Sequence, residues 1–308
     1  MTRGASLQGG QDQERVVAIE IIKDIVYGEG RIGYANGAGP MTSTPLMLDA
    51  YLPATQSSKP RPCLVLAFGG AFHRGSKEAD SFSDGVGTST AMAEYCRRFA
   101  ELGLPSFSVS YRLTQTDPAP VAAPVLTRKD GVPLGRAGVV RQMLGLDPIT
   151  PLELARAMEA AFEDVANATR FVMANAARFG IDPARVVLGG FSAGGRSAMY
   201  SAYAKGVPVA GVISISGPLM TEDAAHYVKK GARLPPLLYL SGEKDLEQVL
   251  QATPGTVQAF ENAGSDFTWA RMPNATHFYP AEAHTEGGRT VFDEMTRALK
   301  AWRCWPDA

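Results

Sequence analysis

Val186-Val187-Leu188-Gly189-Gly190-Phe191-Ser192-Ala193-Gly194-Gly195 is the stretch on which the reading of this chain turns. Residues 186–189 have the continuous apolar character of a buried strand, and 193–204 form an Ala/Met/Tyr-containing run with the character of a helix. Between them sits Gly190-Phe191-Ser192-Ala193-Gly194. Glycines two before and two after a serine let the backbone bend sharply from strand to helix and expose the hydroxyl, and the helix N-terminus beside it favours negative charge. A Gly-rich turn can hold an incidental serine. The strand-to-helix setting instead makes Ser192 a candidate nucleophile.

Outward from this turn, short apolar strands alternate with helical segments. Strands are expected at 62–68, 105–113, 186–189, 209–216, 236–241 and 267–272, and helices at 91–102, 151–178, 193–204, 221–230, 246–263 and 289–302. Such alternation predicts right-handed crossovers and an α/β fold, a mostly parallel central sheet with helices on both faces. Before it, 16–27 and 44–51 read as an antiparallel pair joined through Gly28, Gly30, Gly33, Gly37 and Gly39. The helix from 151 has the clearest local support: Thr150 can N-cap it, Pro151 suits its first position, Glu153 completes a capping box and Gly180 supplies a stop. Met158, Phe162, Val165, Thr169 and Val172 fall on one side of it and read as core. Residues 114–149 break the rhythm. A quarter of them are Pro or Gly, and the segment is too long for a plain connection, so a lid or substrate-pocket insertion is expected there.

Composition excludes several other classes. Of 308 residues 45% are hydrophobic and 20% charged, and 30 Lys plus Arg against 31 Asp plus Glu leave a net charge of −1. No bulk basic field exists to attract nucleic acid or anionic lipid. No apolar run reaches the length of a membrane span. Residues 1–15 are polar, lack the apolar core of a secretory signal and read as a flexible leader. Cys63, Cys96 and Cys304 are odd in number and lack C-x-x-C spacing, so neither a disulfide framework nor a metal site is indicated, and a cytoplasmic setting is expected. The expected organisation is a leader over 1–15 and a single domain over 16–308, with oligomeric state, including a homodimer, left open.

A serine hydroxyl is a poor nucleophile at neutral pH and needs a histidine base and an acid to orient it. Of the four histidines, His73 follows the Gly69-Gly70 turn too closely and His226 lies in a polar helical run. His277 sits in a loop just after the last expected strand, where it can hang over the carboxyl edge of the sheet; His284 reads as a surface residue. Asp245 follows an apolar strand and a Gly turn, with Glu243 as the alternative acid and helix capping as the alternative role. The order serine, acid, histidine is that of an α/β-hydrolase. Attack on a carbonyl also needs N–H donors for the oxyanion. Phe68-Gly69-Gly70-Ala71-Phe72 ends the 62–68 strand, so the amides of Gly70 and Ala71 are candidates, with Ala193 beside the nucleophile. Phe72, Phe278 and Tyr279, next to these residues in sequence, are candidate substrate-pocket aromatics.

These motifs together resemble the carboxylesterases of the α/β-hydrolase fold, close to the bacterial hormone-sensitive-lipase-like and feruloyl-esterase-like branches. Phe68-Gly69-Gly70-Ala71-Phe72 is similar to their His-Gly-Gly-Gly-Phe segment, Ser110-Tyr111-Arg112-Leu113 to their Tyr-Arg-Leu segment, and Leu48-Asp49-Ala50-Tyr51-Leu52-Pro53 to their opening strand. Phe68 stands for the usual histidine and Ala71 for the third glycine, and residues 114–149 lengthen the path from Leu113 to the helix carrying Asp164. The resemblance implies cleavage of small carboxylic esters through an acyl-enzyme by Ser192, His277 and Asp245, with no metal or organic cofactor. An amidase or formamidase on the same three residues, and a catalytically silent ligand-binding fold, are the alternatives.

Overall fold

The computed structural model describes residues 16–55 and 57–306, so the expected leader lies outside the described residues. Eight strands form one sheet: β1 (Ile19–Ile32), β2 (Thr42–Pro53), β3 (Arg61–Ala67), β4 (Ser106–Val109), β5 (Ile181–Phe191), β6 (Gly211–Ile215), β7 (Leu237–Gly242) and β8 (Phe267–Met272). The helices are α1 (Met92–Glu101), α2 (Gly135–Met143), α3 (Pro151–Ala174), α4 (Ala176–Phe179), α5 (Ala193–Tyr203), α6 (Thr221–Tyr227), α7 (Glu247–Ala263) and α8 (Val291–Ala301). Spatial order across the sheet is β1-β2-β4-β3-β5-β6-β7-β8. β2 is antiparallel to both its neighbours and all other pairs are parallel.

Parallel strands buried on both faces need helices on both. Two helix layers show in the aromatic packing. On one side Tyr95 and Phe99 of α1 stack on Phe292 of α8. On the other, Phe162 of α3 lies flat on Tyr200 of α5, with ring centroids 4.2 Å apart. The capping box expected at α3 is formed: Thr150 Oγ1 accepts the Glu153 amide and Glu153 accepts the Thr150 amide, with Pro151 in the first turn. Met158, Phe162, Val165, Thr169 and Val172 are all buried.

Three expectations are corrected, and one helix stands where none was expected. β1 continues through Gly28 and Gly30, because a Cβ at 30 would lie 2.6 Å from Arg112 Cδ; that glycine serves close approach rather than a turn. The strand expected at 105–113 stops at Val109, since Tyr111 and Arg112 leave the ladder to make side-chain bonds described below. The helix expected at 151–178 breaks at Asn175, whose amide side chain donates to the Phe171 carbonyl; Gly180, left-handed at φ 64°, then ends the short α4. Residues 114–149 contain α2, whose two glycines weaken its sequence signal and whose buried face is only Ala137 and Val140.

Strand order reverses beside β3. The chain leaves β3 through α1 to β4 on one side and returns through α3 to β5 on the other. Right-handed crossovers in opposite directions place those helices on opposite faces, so the loops after β3 and β5 part at the carboxyl edge and leave a crevice there.

Candidate active site

Ser192 occupies the tight turn between β5 and α5 at φ 53° and ψ −114°, outside the regions that L-residues favour. Its N–H donates to the Ile215 carbonyl at 2.7 Å, which pins the strained residue to the neighbouring strand. Gly194 is required because β3 passes directly underneath: a Cβ there would collide with the carbonyl oxygens of Ala67 and Phe68.

The loops after β7 and β8 bring Asp245 and His277 to the same edge. His277 Nε2 lies 2.7 Å from Ser192 Oγ and Nδ1 lies 2.5 Å from Asp245 Oδ1. With only 2% of His277 exposed, the imidazole has almost no contact with water and its two ring nitrogens face these two partners. Asp245 is also buried and accepts three further bonds, from Ser216 Oγ (2.6 Å) and the amides of Gly242 (3.1 Å) and Leu246 (2.8 Å). Glu243, the alternative acid, instead accepts the Asn274 amide at the loop surface. His226 and His284 are exposed.

The Phe68–Phe72 loop borders Ser192. Among the described residues, the N–H groups of Gly70, Ala71 and Ala193 have no acceptor. Ala71 and Phe72 are left-handed at φ 56° and 63°. Tyr111 braces the loop: its hydroxyl donates to the Phe68 carbonyl at 2.8 Å and its ring stacks on Phe68 with centroids 4.3 Å apart. From beneath, His73 donates from Nδ1 to the Ala71 carbonyl at 2.6 Å, and burial lowers its pKa so that it stays neutral. A buried ion pair anchors the next segment. Arg112 donates from Nε (2.9 Å) and Nη2 (2.7 Å) to Asp164 of α3, which also accepts the Arg112 amide.

Two clefts open on either side of Ser192 and share Ala71 and Arg136. The larger, about 480 Å³, includes Phe72, Leu154, Met158 and Ala193; the smaller, about 230 Å³, includes Gly70, Arg74, His277 and Phe278. Phe72 and Phe278 therefore sit in the walls, one in each. Tyr279 does not. Its buried hydroxyl lies 2.9 Å from Ser216 Oγ, behind the acid, so the sequence neighbourhood of His277 misassigned it to the pocket. Since Ser216 spends its one proton on Asp245, Tyr279 must be the donor to Ser216. Burial and the Asp245 charge push the Tyr279 pKa up, which keeps that proton in place.

Sequence reasoning missed Ser216, Arg74, Arg136 and Arg196, which line these clefts. Arg74 and Arg196 lie within four residues of the recognised turns, a proximity that could have flagged them. Ser216 ends an expected strand, and Arg136 belongs to the insertion. Among the described residues, no group of three or more His, Cys, Asp or Glu could hold a metal ion, and no helix is long and apolar enough to cross a membrane.

A family model described as BD-FAE matches residues 152–210, which span α3 through α5 and include Ser192. No curated protein matches the chain. Solved structures do. A thermophilic esterase of the planctomycete Thermogutta terrifontis, Est2, with propionate bound, is 17% identical with a TM-score of 0.60, covering 96% of this chain and 98% of its own. The same esterase phosphoramylated by tabun scores 0.61 at 17% identity, covering 94% and 97%. A truncated carbohydrate esterase from gut microbiota is 16% identical with a TM-score of 0.58, covering 95% and 99%. This chain has the α/β-hydrolase fold.

Proposed function

We propose that this chain is a serine hydrolase of carboxylic esters. One observation carries the reading: a single buried imidazole lies 2.7 Å from a strained serine hydroxyl through one nitrogen and 2.5 Å from a buried carboxylate through the other. In this mechanism Ser192 Oγ attacks the acyl carbonyl while His277 Nε2 takes its proton, and Asp245 fixes the tautomer and stabilises the cation that forms. The carbonyl oxygen becomes an oxyanion and accepts from the amides of Gly70, Ala71 and Ala193. His277 then gives its proton to the departing alkoxide, leaving an acyl-Ser192 ester. Water, deprotonated by the same imidazole, attacks that ester and releases the acid. The backbone amides are worth about 2.7–4 kcal/mol each, from the cost of deleting one such donor.

Residues 16–308 form one domain in this reading, and 114–149 shape the substrate pocket through α2, whose Arg136 and Ala137 border the larger cleft. The likeness to two esterases supports ester rather than amide substrates. The test pairs a short-chain 4-nitrophenyl ester with a fluorophosphonate probe, using wild type and Ser192→Ala. Turnover and covalent labelling should both vanish in the variant. Equal turnover by both proteins would sink the mechanism, and a folded wild type that neither labels nor turns over would favour a silent binding fold.

A further inference from the structure

Arg74 and Arg136 both border the smaller cleft that holds His277, and Arg136 reaches the larger one as well. Among the described residues neither guanidinium has a hydrogen-bond acceptor or a carboxylate partner, and Arg74 Nε is buried without one. Each lies instead over an aromatic ring, Arg74 over Phe82 at 5.0 Å and Arg136 over Phe278 at 5.4 Å. Arg112, Arg156 and Arg289, by contrast, are paired with Asp164, Asp117 and Glu294. Burial and the positive charge of Arg74 both lower the pKa of Arg136. Asp84 offsets part of this charge, but its carboxylate accepts the amides of Val86 and Gly87. Two like charges held together at the edge of a reaction site are unfavourable until an anion enters between them.

We propose, on the basis of the esterase reading, that the natural ester carries an anionic group on its leaving alcohol, a carboxylate held between Arg74 and Arg136. The side is chosen by His277, which borders the smaller cleft and would hand its proton to the leaving oxygen. The group is chosen by shape, since the guanidinium fork matches a planar carboxylate in two parallel bonds. Arg196 is outside this site: it borders the larger cleft and its Nε donates to the Pro218 carbonyl.

The experiment compares two butyrate esters, of 4-nitrophenol and of 3-carboxy-4-nitrophenol, so that the acyl group is constant and only the leaving group gains a carboxylate. The readout is the ratio of kcat/KM for the anionic over the neutral ester, compared between proteins so that intrinsic leaving-group reactivity cancels. Arg136→Ala and Arg74→Ala should each lower that ratio at least about tenfold, the scale of one charge-assisted hydrogen bond. Arg136→Lys, which keeps the charge without the fork, should fall between Arg136→Ala and wild type. Product inhibition of wild type requires no variant to fold: the carboxylated nitrophenol should inhibit at least about tenfold more strongly than 4-nitrophenol. Ratios that move less than twofold in both alanine variants, or equal inhibition by the two phenols, overturn the proposal. If the neutral ester is hydrolysed and Ser192 labels with the fluorophosphonate, that result removes the anion site alone; if neither occurs, the esterase reading fails and takes this proposal with it.

Discussion

The relay Tyr279 to Ser216 to Asp245 makes a prediction whose size follows from its geometry. Asp245 Oδ2 accepts a 2.6 Å bond from Ser216 and a longer 3.1 Å bond from the Gly242 amide, while Oδ1 faces His277 and Leu246. Ser216→Ala deletes the shorter of the two bonds on Oδ2. A hydrogen bond to a charged group is worth about 1.5–3 kcal/mol. If roughly half of that is felt as misorientation of Asp245 and His277 in the transition state, kcat falls about four- to twelvefold, since 1.4 kcal/mol is a factor of ten. Tyr279→Phe removes a bond between neutral groups, about 0.5–1.5 kcal/mol, and acts on the acid only through Ser216, so a two- to fivefold loss is expected. The double variant should then be no worse than Ser216→Ala by more than about twofold. Stability should be non-additive in the same direction: Ser216→Ala strands the buried Tyr279 hydroxyl at a cost of about 1–3 kcal/mol, and Tyr279→Phe in that background recovers part of it. The assay is steady-state hydrolysis of a 4-nitrophenyl ester with kcat and KM separated, alongside urea melts of all four proteins. Independent effects, in which the double variant loses the product of the two single losses, would refute the relay, as would Ser216→Ala retaining kcat within twofold.

Three further outcomes follow. Asp164→Ala should lose about 3 kcal/mol in urea unfolding, the lower end for breaking a buried pair, because it removes the main carboxylate of the buried Arg112 guanidinium and leaves only Glu163 at 3.3 Å; a loss under about 1 kcal/mol would show that the pair does not anchor this segment. Cys63, Cys96 and Cys304 are buried and burial pushes their thiols up, Cys304 to about 11, so iodoacetamide at pH 8 should leave the folded protein unmodified and alkylate all three after denaturation. Mass spectrometry reads the result, and rapid stoichiometric modification of the native protein would contradict it. Ser192→Gly should melt above Ser192→Ala, because glycine accepts φ 53° without the strain of about 1–3 kcal/mol and gives back only about 0.4–1 kcal/mol in unfolded-chain entropy. Equal or reversed melting temperatures would mean that the turn is not strained.

Much of the scaffold was legible because local signals agreed with one another. Thr150, Pro151 and Glu153 declare a helix start by chemistry that needs no tertiary partner, and β8 occupies the residues its apolar pattern indicates. Gly190 and Gly194 could be read for the same reason, since a bend that tight admits few residues. What could not be read depends on distance in sequence. Tyr111 and Arg112 look like a continuing strand until their partners, Phe68 and Asp164, are known. Ser216 carries no motif, and its role rests on meeting Asp245 and Tyr279 from another strand end. Arg136 lies in a helix that two glycines disguise, and only the fold brings that helix over Ser192.

The strain in this backbone is distributed in a way that bears on the site. Ala71, Phe72, Ser192, Ser216 and Asn274 are left-handed without being glycine, and they follow β3, β5, β6 and β8 at the carboxyl edge of the sheet. Such residues persist only where surrounding bonds over-determine them. Those bonds are present: Thr114 donates to the Phe72 carbonyl, Ser192 to Ile215, Ser216 to Leu240, and Asn274 to the Glu243 carboxylate. Each tie runs to a different segment, so no one of these turns can relax without disturbing a neighbour. The unpaired amides of the β3 loop, the Ser192 hydroxyl and the His277 imidazole are therefore held in mutual register before any substrate arrives. Preorganised donors of this kind need no reorientation as charge develops on a reacting carbonyl. The strain at the edge and the position of the proposed reaction centre have one physical origin: sharp exits from the parallel strands, each tied to another segment at the same edge.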